Sequence, residues 1–453
     1  MLNDLEEPEP PPQYWSWKKI ILWPLGIFLA FVTALWAYDE ELEPFDDLLP
    51  LAAADPDPAR NGYYFLRERW AALPELKNAD QTRMSDMLSG KESWDPALVA
   101  EIRKGRETLA SDAKEAVARP DFKTPAIASY KDTEPMNLAW MVKPVRVLSM
   151  EIQSALKDGD VDKAMDIWQE QRALSFRTLE GGQSVIALLV GITMHSAAMV
   201  SANDLLASRT LPIEQMERME SNLQRGLPAV RTWQQAMRSE AAFSRTAFMD
   251  IAANRPDLDP ALKVRFPWLL LKKNVTINRS MREYRHLLLT AFRTFPDKSA
   301  ATAAGYFEDE AEVAKWKRYL DPNYAGTKLL AENGNSYLKV LPGLTNKFFF
   351  EPRALRVKIA ILRWRESHPG QWPATLRELV PDFLTEVPED PFNGRDLEWD
   401  PVKRIIFSVG SDWLANDPEF KDAFAWFAAE HESPGLRMDR PPATPLEVPP
   451  SKP

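Results

Sequence analysis

The feature that most constrains this chain is an apolar run of nineteen residues near its start, Ile20–Tyr38. As a helix rising ~1.5 Å per residue, a run of this length spans the hydrocarbon core of a bilayer. Lys18 and Lys19 precede the run, whereas acidic residues follow it and no Lys or Arg occurs before Arg60. Because basic flanks remain in the cytoplasm, we expect a single transmembrane helix at residues 20–38, with the N-terminus inside and most of the chain outside.

A cleaved signal peptide is the alternative interpretation of this segment. Signal peptides have a shorter apolar core, which ends in a cleavage site of the small-x-small type. Here the run ends in Leu35-Trp36-Ala37-Tyr38, and the first cluster of small residues, Ala52–Ala54, lies well beyond it. The sequence therefore favours a retained membrane anchor.

Composition excludes several classes of function. None of the 453 residues is Cys, which rules out disulfides, thiolate catalysis and metal centres built on cysteine. The net charge of −10 argues against a nucleic-acid partner, which would require a basic face on the protein. Prolines outnumber glycines by 38 to 17, as is typical of helices joined by proline-containing turns. We therefore expect a mainly α protein.

Besides the transmembrane helix, composition and periodicity predict five segments. Residues 1–19 and 434–453 are rich in proline and are predicted to be disordered tails, the first of them cytoplasmic. Residues 39–60 are predicted to form an acidic juxtamembrane linker that stands off the surface and leads into the folded part. Residues 61–351 have helical periodicity and are expected to form a large extracytoplasmic helical domain, followed by a small α+β module at residues 352–433.

Two stretches within the helical domain carry specific predictions. Gly181–Asn203 contains no charged residue in 23 positions, so it is either a second membrane span or the buried central helix of the domain. Its polar residues and the lack of basic flanks favour the buried helix. For His195 within it, a position in the core is favoured over a role as a buried base. The amphipathic stretch Glu101–Arg119 is predicted to be one helix.

A short apolar run, Phe266–Leu271, lies between two pairs of basic residues, Lys263/Arg265 and Lys272/Lys273. Such a run either docks on a membrane surface or a partner, or anchors a buried loop between two helices. The sequence alone favours the buried loop.

From residue 354 to residue 417 the pattern of the sequence changes. A helix predicted at Pro352–Ser367 runs into Gly370-Gln371-Trp372-Pro373, and short strands are predicted near Leu397–Trp399 and Ile405–Ser408. Prolines mark the connections between these elements. The pattern predicts a helix packed on a small β-hairpin.

Three motifs follow one another in this region: Gly370-Gln371-Trp372-Pro373, Pro388–Gly394 and Phe407–Asp412. In this order they resemble the C-terminal half of the type II secretion major pseudopilins and similar modules of uncharacterised membrane-anchored bacterial proteins. The resemblance covers about 65 of the 453 residues. It implies a location in the bacterial cytoplasmic (inner) membrane, with the bulk of the chain extracytoplasmic or periplasmic.

The resemblance also implies a calcium site, because the closing loop of the major pseudopilin binds this ion. Asp412 and Asp417 are the corresponding candidate ligands, and acidic, oxygen-rich loops suit calcium. An Asx-rich turn, whose carboxylates cap backbone amides, is the alternative. More than 300 residues separate Tyr38 from Ala354, and no prepilin cleavage motif precedes Ile20. The chain is therefore not expected to be a processed pilus subunit.

No catalytic signature is present in the sequence. The HExxH, GxSxG, GxGxxG and P-loop motifs are absent, so no catalytic residue is assigned and calcium is the one cofactor under consideration. We expect a non-catalytic scaffold or interaction protein of the bacterial cell envelope, with the membrane and other envelope proteins as partners. One alternative is an accessory component of a type II secretion or pilus-like machine with a calcium-stabilised module. The other is an envelope hydrolase acting on wall polymers, which has no motif in its favour.

Overall fold

The computed structural model describes residues 25–31, 33, 38–48, 57–125, 138–207, 211–224, 230–253, 273–290, 324–408 and 435–438. This part of the chain is mainly helical, as predicted, with a small antiparallel sheet close to its C-terminal end. The named helices are α1 (Gly62–Trp70), α2 (Asn78–Ser89), α3 (Pro96–Arg103), α4 (Leu109–Ala118), α5 (Ala139–Lys157), α6 (Val161–Gly181), α7 (Val185–Ala207), α8 (Ile213–Gln224), α9 (Val230–Ala253), α10 (Lys273–Thr290) and α11 (Tyr324–Ser367).

The charged stretch Glu101–Arg119 belongs to two helices, so the prediction of one helix is wrong. Helix α3 ends at Arg103 and α4 begins at Leu109. Gly105 lies between them with a φ of +74°, a left-handed backbone conformation that glycine adopts without steric cost. The charged periodicity continues across this break and therefore conceals it in the sequence.

Helices α5, α6 and α7 pack against one another and form the centre of the helical part. Trp168 of α6 is fully buried, and its indole N–H donates a hydrogen bond of 2.9 Å to the carbonyl of Ala198 in α7. The two helices approach closely at Gly191, where an added Cβ would lie 2.7 Å from the side chain of Leu179. This contact explains a glycine in the middle of an apolar helix.

Helix α7 contains most of the uncharged stretch Gly181–Asn203. Among the helices that the structure describes, it is the one whose length and composition would allow it to cross a membrane. Yet 61% of its most apolar window is buried, against α5, α6, α9 and α11. The helix thus occupies the central position that the sequence favoured, and length with composition does not by itself distinguish such a helix from a span.

Helices α9, α10 and α11 contribute to a second apolar core. The hydroxyl of Ser244 in α9 lies 2.9 Å from the hydroxyl of Tyr284 in α10. Phe348 of α11 is fully buried there. The same core receives Phe45 and Leu48, which precede α1 in the chain.

Helix α11 is 44 residues long, or about 66 Å at the usual rise per residue. It passes through residue 352, where the sequence predicted the start of both a helix and the C-terminal module. That helix start is wrong, because Pro352 lies in the helix interior although proline is usual in the first turn. Apolar packing continues on both sides of the proline: Phe350 and Ala354 are buried in a third core, which holds the C-terminal module.

The C-terminal sheet contains three antiparallel strands, β1 (Glu398–Asp400), β2 (Ile405–Phe407) and β3 (Gly435–Arg437). Strands β1 and β2 form the predicted hairpin, with Trp399 opposite Ile406. Strand β3 pairs with β2 and was not predicted. Residues 434–453 were predicted to be a disordered tail, and this prediction is wrong for residues 435–437, which add the third strand.

Candidate functional site

The acidic segment of residues 39–48, called the strap from here on, lies along helix α10. The sequence predicted an acidic juxtamembrane linker that leads into the folded part, and did not predict that residues 39–48 of it pack along a helix of that part. The strap carries six carboxylates, and Glu40, Glu43 and Asp47 meet basic residues of α10. These ion pairs join two segments that are more than 200 residues apart in the chain.

The strap begins at the N-terminal end of α10. One carboxylate oxygen of Asp39 accepts a hydrogen bond of 3.0 Å from the backbone N–H of Asn274, and the other accepts one of 3.1 Å from Val275. The first N–H groups of a helix have no partner within the helix, and a carboxylate there also interacts favourably with the helix dipole. The Asn274 amide donates in turn to the Glu40 carbonyl at 2.7 Å. Asp39 therefore fixes the position of the chain directly after the apolar run.

Asn278, one turn further along α10, holds the backbone of the strap. Its amide nitrogen donates to the Glu41 carbonyl at 2.8 Å and to a carboxylate oxygen of Glu40 at 3.1 Å. Its amide oxygen accepts from the backbone N–H of Glu43 at 3.0 Å. The side chain is 1% exposed, so these bonds replace the water that burial removes.

Two arginines on the same side of α10 bind the second half of the strap. Arg282 is bonded to the Glu43 carboxylate and lies 3.6 Å from that of Glu40. Arg285 donates two hydrogen bonds of 2.7 Å to the two oxygens of Asp47. The hydrogen bond from Arg282 holds the pKa of Glu43 below its usual value, and the bonds from Arg285 do the same for the pKa of Asp47.

Apolar burial completes the attachment of the strap. Phe45 and Leu48 are each 2% exposed and pack in the second core with Met281, Tyr284 and Phe348. Burying side chains of this size contributes about 1.5–3 kcal/mol each. Exposed ion pairs contribute less, so the two apolar side chains supply most of the attachment and the charges set its register.

The strap therefore connects the end of the apolar run to the folded core through specific contacts. Asp39 binds backbone amides, and Glu40, Glu43 and Asp47 meet arginines of α10. The sequence analysis did not recognise the contact residues. A general signal was present, because the strap is acidic and α10 contains several basic residues. Only the fold shows that these two segments are neighbours.

A layer of polar side chains lies between α7 and α11. Lys358 is fully buried and donates to the side-chain oxygen of Asn203 at 2.7 Å and to the backbone carbonyl of Met438 at 3.0 Å. The Ser196 hydroxyl donates to the Glu351 carboxylate at 3.0 Å, and burial raises the pKa of Glu351. These bonds attach the central helix and the third strand to α11.

His195 lies in the core, which is the position the sequence favoured. Its ring is fully buried 4.2 Å from the ring of Phe348, measured between centroids. Burial, with a smaller effect of Arg172, lowers the pKa of His195 to about 3. Neither ring nitrogen has a hydrogen-bond partner within the described part of the chain. The side chain is neutral at physiological pH and packs as an aromatic residue.

In the C-terminal module, the second motif of the pseudopilin resemblance forms a closed turn around Asp390. This side chain is 1% exposed, and its carboxylate accepts from the Ser408 hydroxyl at 2.5 Å, the Phe392 N–H at 2.9 Å and the Asn393 amide at 2.8 Å. Burial raises the pKa of Asp390. The carboxylate thus joins the second motif to Ser408, which belongs to the third.

The first motif is connected to the hairpin as well. The indole N–H of Trp399 in β1 donates a hydrogen bond of 2.9 Å to the carbonyl of Pro373. Trp372 packs beside it, with the guanidinium of Arg365 at 3.9 Å from its ring centroid. The described residues of the three motifs therefore meet in one small structural unit.

The candidate calcium ligands Asp412 and Asp417 lie outside the described residues, so the calcium site stays a prediction. The structure describes the chain up to Ser408 and again from Gly435, which pairs with Phe407. Among the described residues, no group of three His, Asp or Glu side chains is arranged to hold a metal ion.

Comparisons with protein families, with curated proteins and with solved structures found no match to this chain.

Proposed function

We propose that this protein is a membrane-anchored, non-catalytic scaffold or interaction protein of the bacterial cell envelope. Residues 20–38 are the single span, the N-terminus is cytoplasmic, and the helical part with the C-terminal module is extracytoplasmic. The length of the apolar run and the basic residues before it support this topology. Within the run, the described residues 25–31 are helical and exposed, Phe28 to 61%.

The observation that carries the proposal is the strap. A flexible linker would let the folded part move freely around its anchor. Here Asp39, the residue directly after the apolar run, is bound to the start of α10. Such a fixed connection is useful to a protein that holds a surface or a partner at a set distance from the bilayer. The buried Lys358 and Asp390 are engaged in structural hydrogen bonds, which also favours a scaffold.

The test is the topology of the chain in a bacterial membrane. Alkaline phosphatase and a fluorescent protein are fused in turn after Pro453, and fusions after Lys19 are the cytoplasmic control. We expect phosphatase activity without fluorescence after Pro453, and the reverse after Lys19. Fluorescence after Pro453 would place the folded part in the cytoplasm and overturn the proposal, as would recovery of the unfused protein in the soluble fraction.

A second candidate function is that of an accessory component of a type II secretion or pilus-like machine. The junction of the three motifs through Asp390, Ser408 and Trp399 favours it, because the order of these motifs carries the resemblance to the major pseudopilins. In that case calcium stabilises the C-terminal module.

Calcium is then expected to raise the melting temperature of the protein. The substitution Asp412→Ala is expected to abolish this rise. Asp158→Ala, at an exposed turn between α5 and α6, is the matched control.

A further inference from the structure

We propose that the start of helix α10 lies at the level of the phospholipid headgroups, with the helix directed away from the bilayer. This inference rests on the proposed single span at residues 20–38 and names the surface of the folded part that faces the lipid. The partner is the outer headgroup layer of the membrane in which the chain is anchored.

The first step of the argument is the continuity of the chain. Tyr38 is the last residue of the apolar run, and Asp39 is the next residue. Both carboxylate oxygens of Asp39 bind the first turn of α10, at Asn274 and Val275. Consecutive Cα atoms are ~3.8 Å apart, so this turn lies within roughly 10 Å of the end of the span.

The second step is the direction of the strap along α10. Asp39 binds Asn274, Glu43 binds Arg282 and Asp47 binds Arg285. The contacts therefore advance from the first turn of α10 toward its C-terminal half. From Lys273 to Arg285 the helix rises about 18 Å. The strap leaves the membrane at one end of α10 and enters the second core, at Phe45 and Leu48, further along it.

The third step is the distribution of charge. Bacterial membranes carry anionic lipids, whose surface potential attracts Lys and Arg and repels carboxylates. If α10 lay flat with the strap against the bilayer, the exposed carboxylates of Glu41 and Asp46 would face this surface. Lys273, in contrast, is the first residue of α10 and lies at the end of the helix nearest to the span. The charge distribution therefore favours a helix that stands end-on.

The run Phe266–Leu271, with the basic Lys272 after it, lies outside the described part of the chain, so both interpretations of this run stay predictions.

The absence of cysteine allows a direct test, because each single-cysteine variant carries one label. The full-length protein is reconstituted in vesicles of phosphatidylethanolamine and phosphatidylglycerol that contain a headgroup-attached nitroxide quencher. A fluorophore is placed in turn at Tyr38→Cys, Lys273→Cys and Asp46→Cys. We expect most of the fluorescence to be lost at positions 38 and 273, and little of it at position 46.

Two results would overturn this inference while the protein remains in the vesicles. Fluorescence retained at position 273 with loss at position 38 would place the start of α10 away from the lipid. Equal losses at positions 273 and 46 would mean that α10 lies flat. Failure of the protein to enter the vesicles at all would overturn the proposed function as well, so the two failures are distinguishable.

The role of the strap is tested by releasing it. The double substitution Arg282→Glu and Arg285→Glu places acid against acid and is expected to restore the fluorescence at position 273 without removing the protein from the vesicles. The matched control is Arg218→Glu, which breaks the surface pair with Asp166 and is expected to leave the fluorescence low. Low fluorescence in the double variant would mean that the strap does not hold α10 at the membrane.

Discussion

Two apolar helical stretches of similar length occur in this protein, and they lie in opposite surroundings. In the run at residues 20–38, the described side chains are exposed, Leu29 to 55% and Phe31 to 59%. In α7, 61% of the most apolar window is buried by neighbouring helices. Apolar length is common to both stretches, so it does not determine which of them is buried by the rest of the protein.

The polar and small residues account for the difference. In the described part of the N-terminal run, Thr33 donates to the carbonyl of Leu29 in its own helix at 2.7 Å, so its hydroxyl requires no partner from another helix. In α7, Ser196 and Asn203 bind Glu351 and Lys358 of α11. Gly191 has no side chain and so leaves room for the side chain of Leu179 from α6. A helix that offers specific partners to its neighbours belongs to a core, whereas a helix that satisfies its own polar groups can be surrounded by lipid.

The largest expected effect comes from a charge placed in each stretch. Leu188→Asp in α7 buries an unpaired carboxylate, since Leu188 is fully buried, and is expected to lower the free energy of unfolding by about 5 kcal/mol or more. Leu29→Asp is expected to leave the melting temperature of the folded part unchanged while it opposes membrane insertion by about 2.5–3.5 kcal/mol. Circular dichroism melting in detergent and carbonate extraction of membranes measure the two effects. An equal decrease of the melting temperature in both variants would mean that both stretches pack in the core of the folded part.

A smaller effect is expected where each stretch contains a glycine. Gly191→Leu forces a side chain against Leu179 and is expected to destabilise the fold by about 1–3 kcal/mol, measured by urea unfolding. Gly26 has no atom within 4 Å of an added Cβ, so Gly26→Leu is the matched control and is expected to have no effect on unfolding. A destabilising Gly26→Leu would mean that the N-terminal run packs on the folded part.

The strap, which joins the exposed stretch to the core, is expected to respond locally. Asn278→Ala leaves the Glu43 N–H and two acceptors without their partner, which costs about 1–3 kcal/mol of local stability. Hydrogen exchange of residues 39–48 is expected to accelerate, with little change in α7. Asn222→Ala, which removes one bond to the Arg218 carbonyl, is the control. Accelerated exchange in α7 would show instead that the strap and the core open as one unit.

The smallest effect is expected from pH. The pKa values of Glu43 and Asp47 lie below their ordinary 4.5 and 3.8, so these groups bind fewer protons in the folded state. Their stabilisation is complete above the ordinary values and is lost as the pH falls through the lowered ones. As the pH falls from about 5 to about 3, the rate of proteolysis at the strap is expected to increase. The double substitution Glu43→Gln with Asp47→Asn is expected to remove this pH dependence.

For Glu351 and Asp390 burial raises the pKa, so their contribution to stability decreases as the pH rises.

The sequence predicted the structure correctly where that structure depends on residues that are close together in the chain. The hairpin at Glu398–Asp400 and Ile405–Phe407 was predicted because its strands and turn are adjacent. The interior position of α7 was favoured because its polar residues make it a poor span. The break at Gly105 was missed because one glycine amid charged residues gives no periodic signal.

Contacts between distant segments were not predictable in the same way. The strap and α10 are more than 200 residues apart, and charge spacing alone does not select one basic helix among several. Strand β3 follows a long connection and consists of three residues, Gly435–Arg437, which show no strand pattern of their own. Asp390 lies in a motif that was recognised, yet its bond to Ser408 depends on how the turn closes.

Helix α11 contributes to all three apolar cores: Leu355 and Ile359 to the first, Phe348 to the second, and Val357 and Trp364 to the third. Phe348 shares its core with Phe45 of the strap. The helix therefore connects the C-terminal sheet to the core that the strap enters, through side chains that lie on one helix between Phe348 and Trp364. A displacement of the sheet along the axis of α11 is expected to shift the packing around Phe45. Tension on the C-terminal module would then be felt at the strap, whichever partner exerts it.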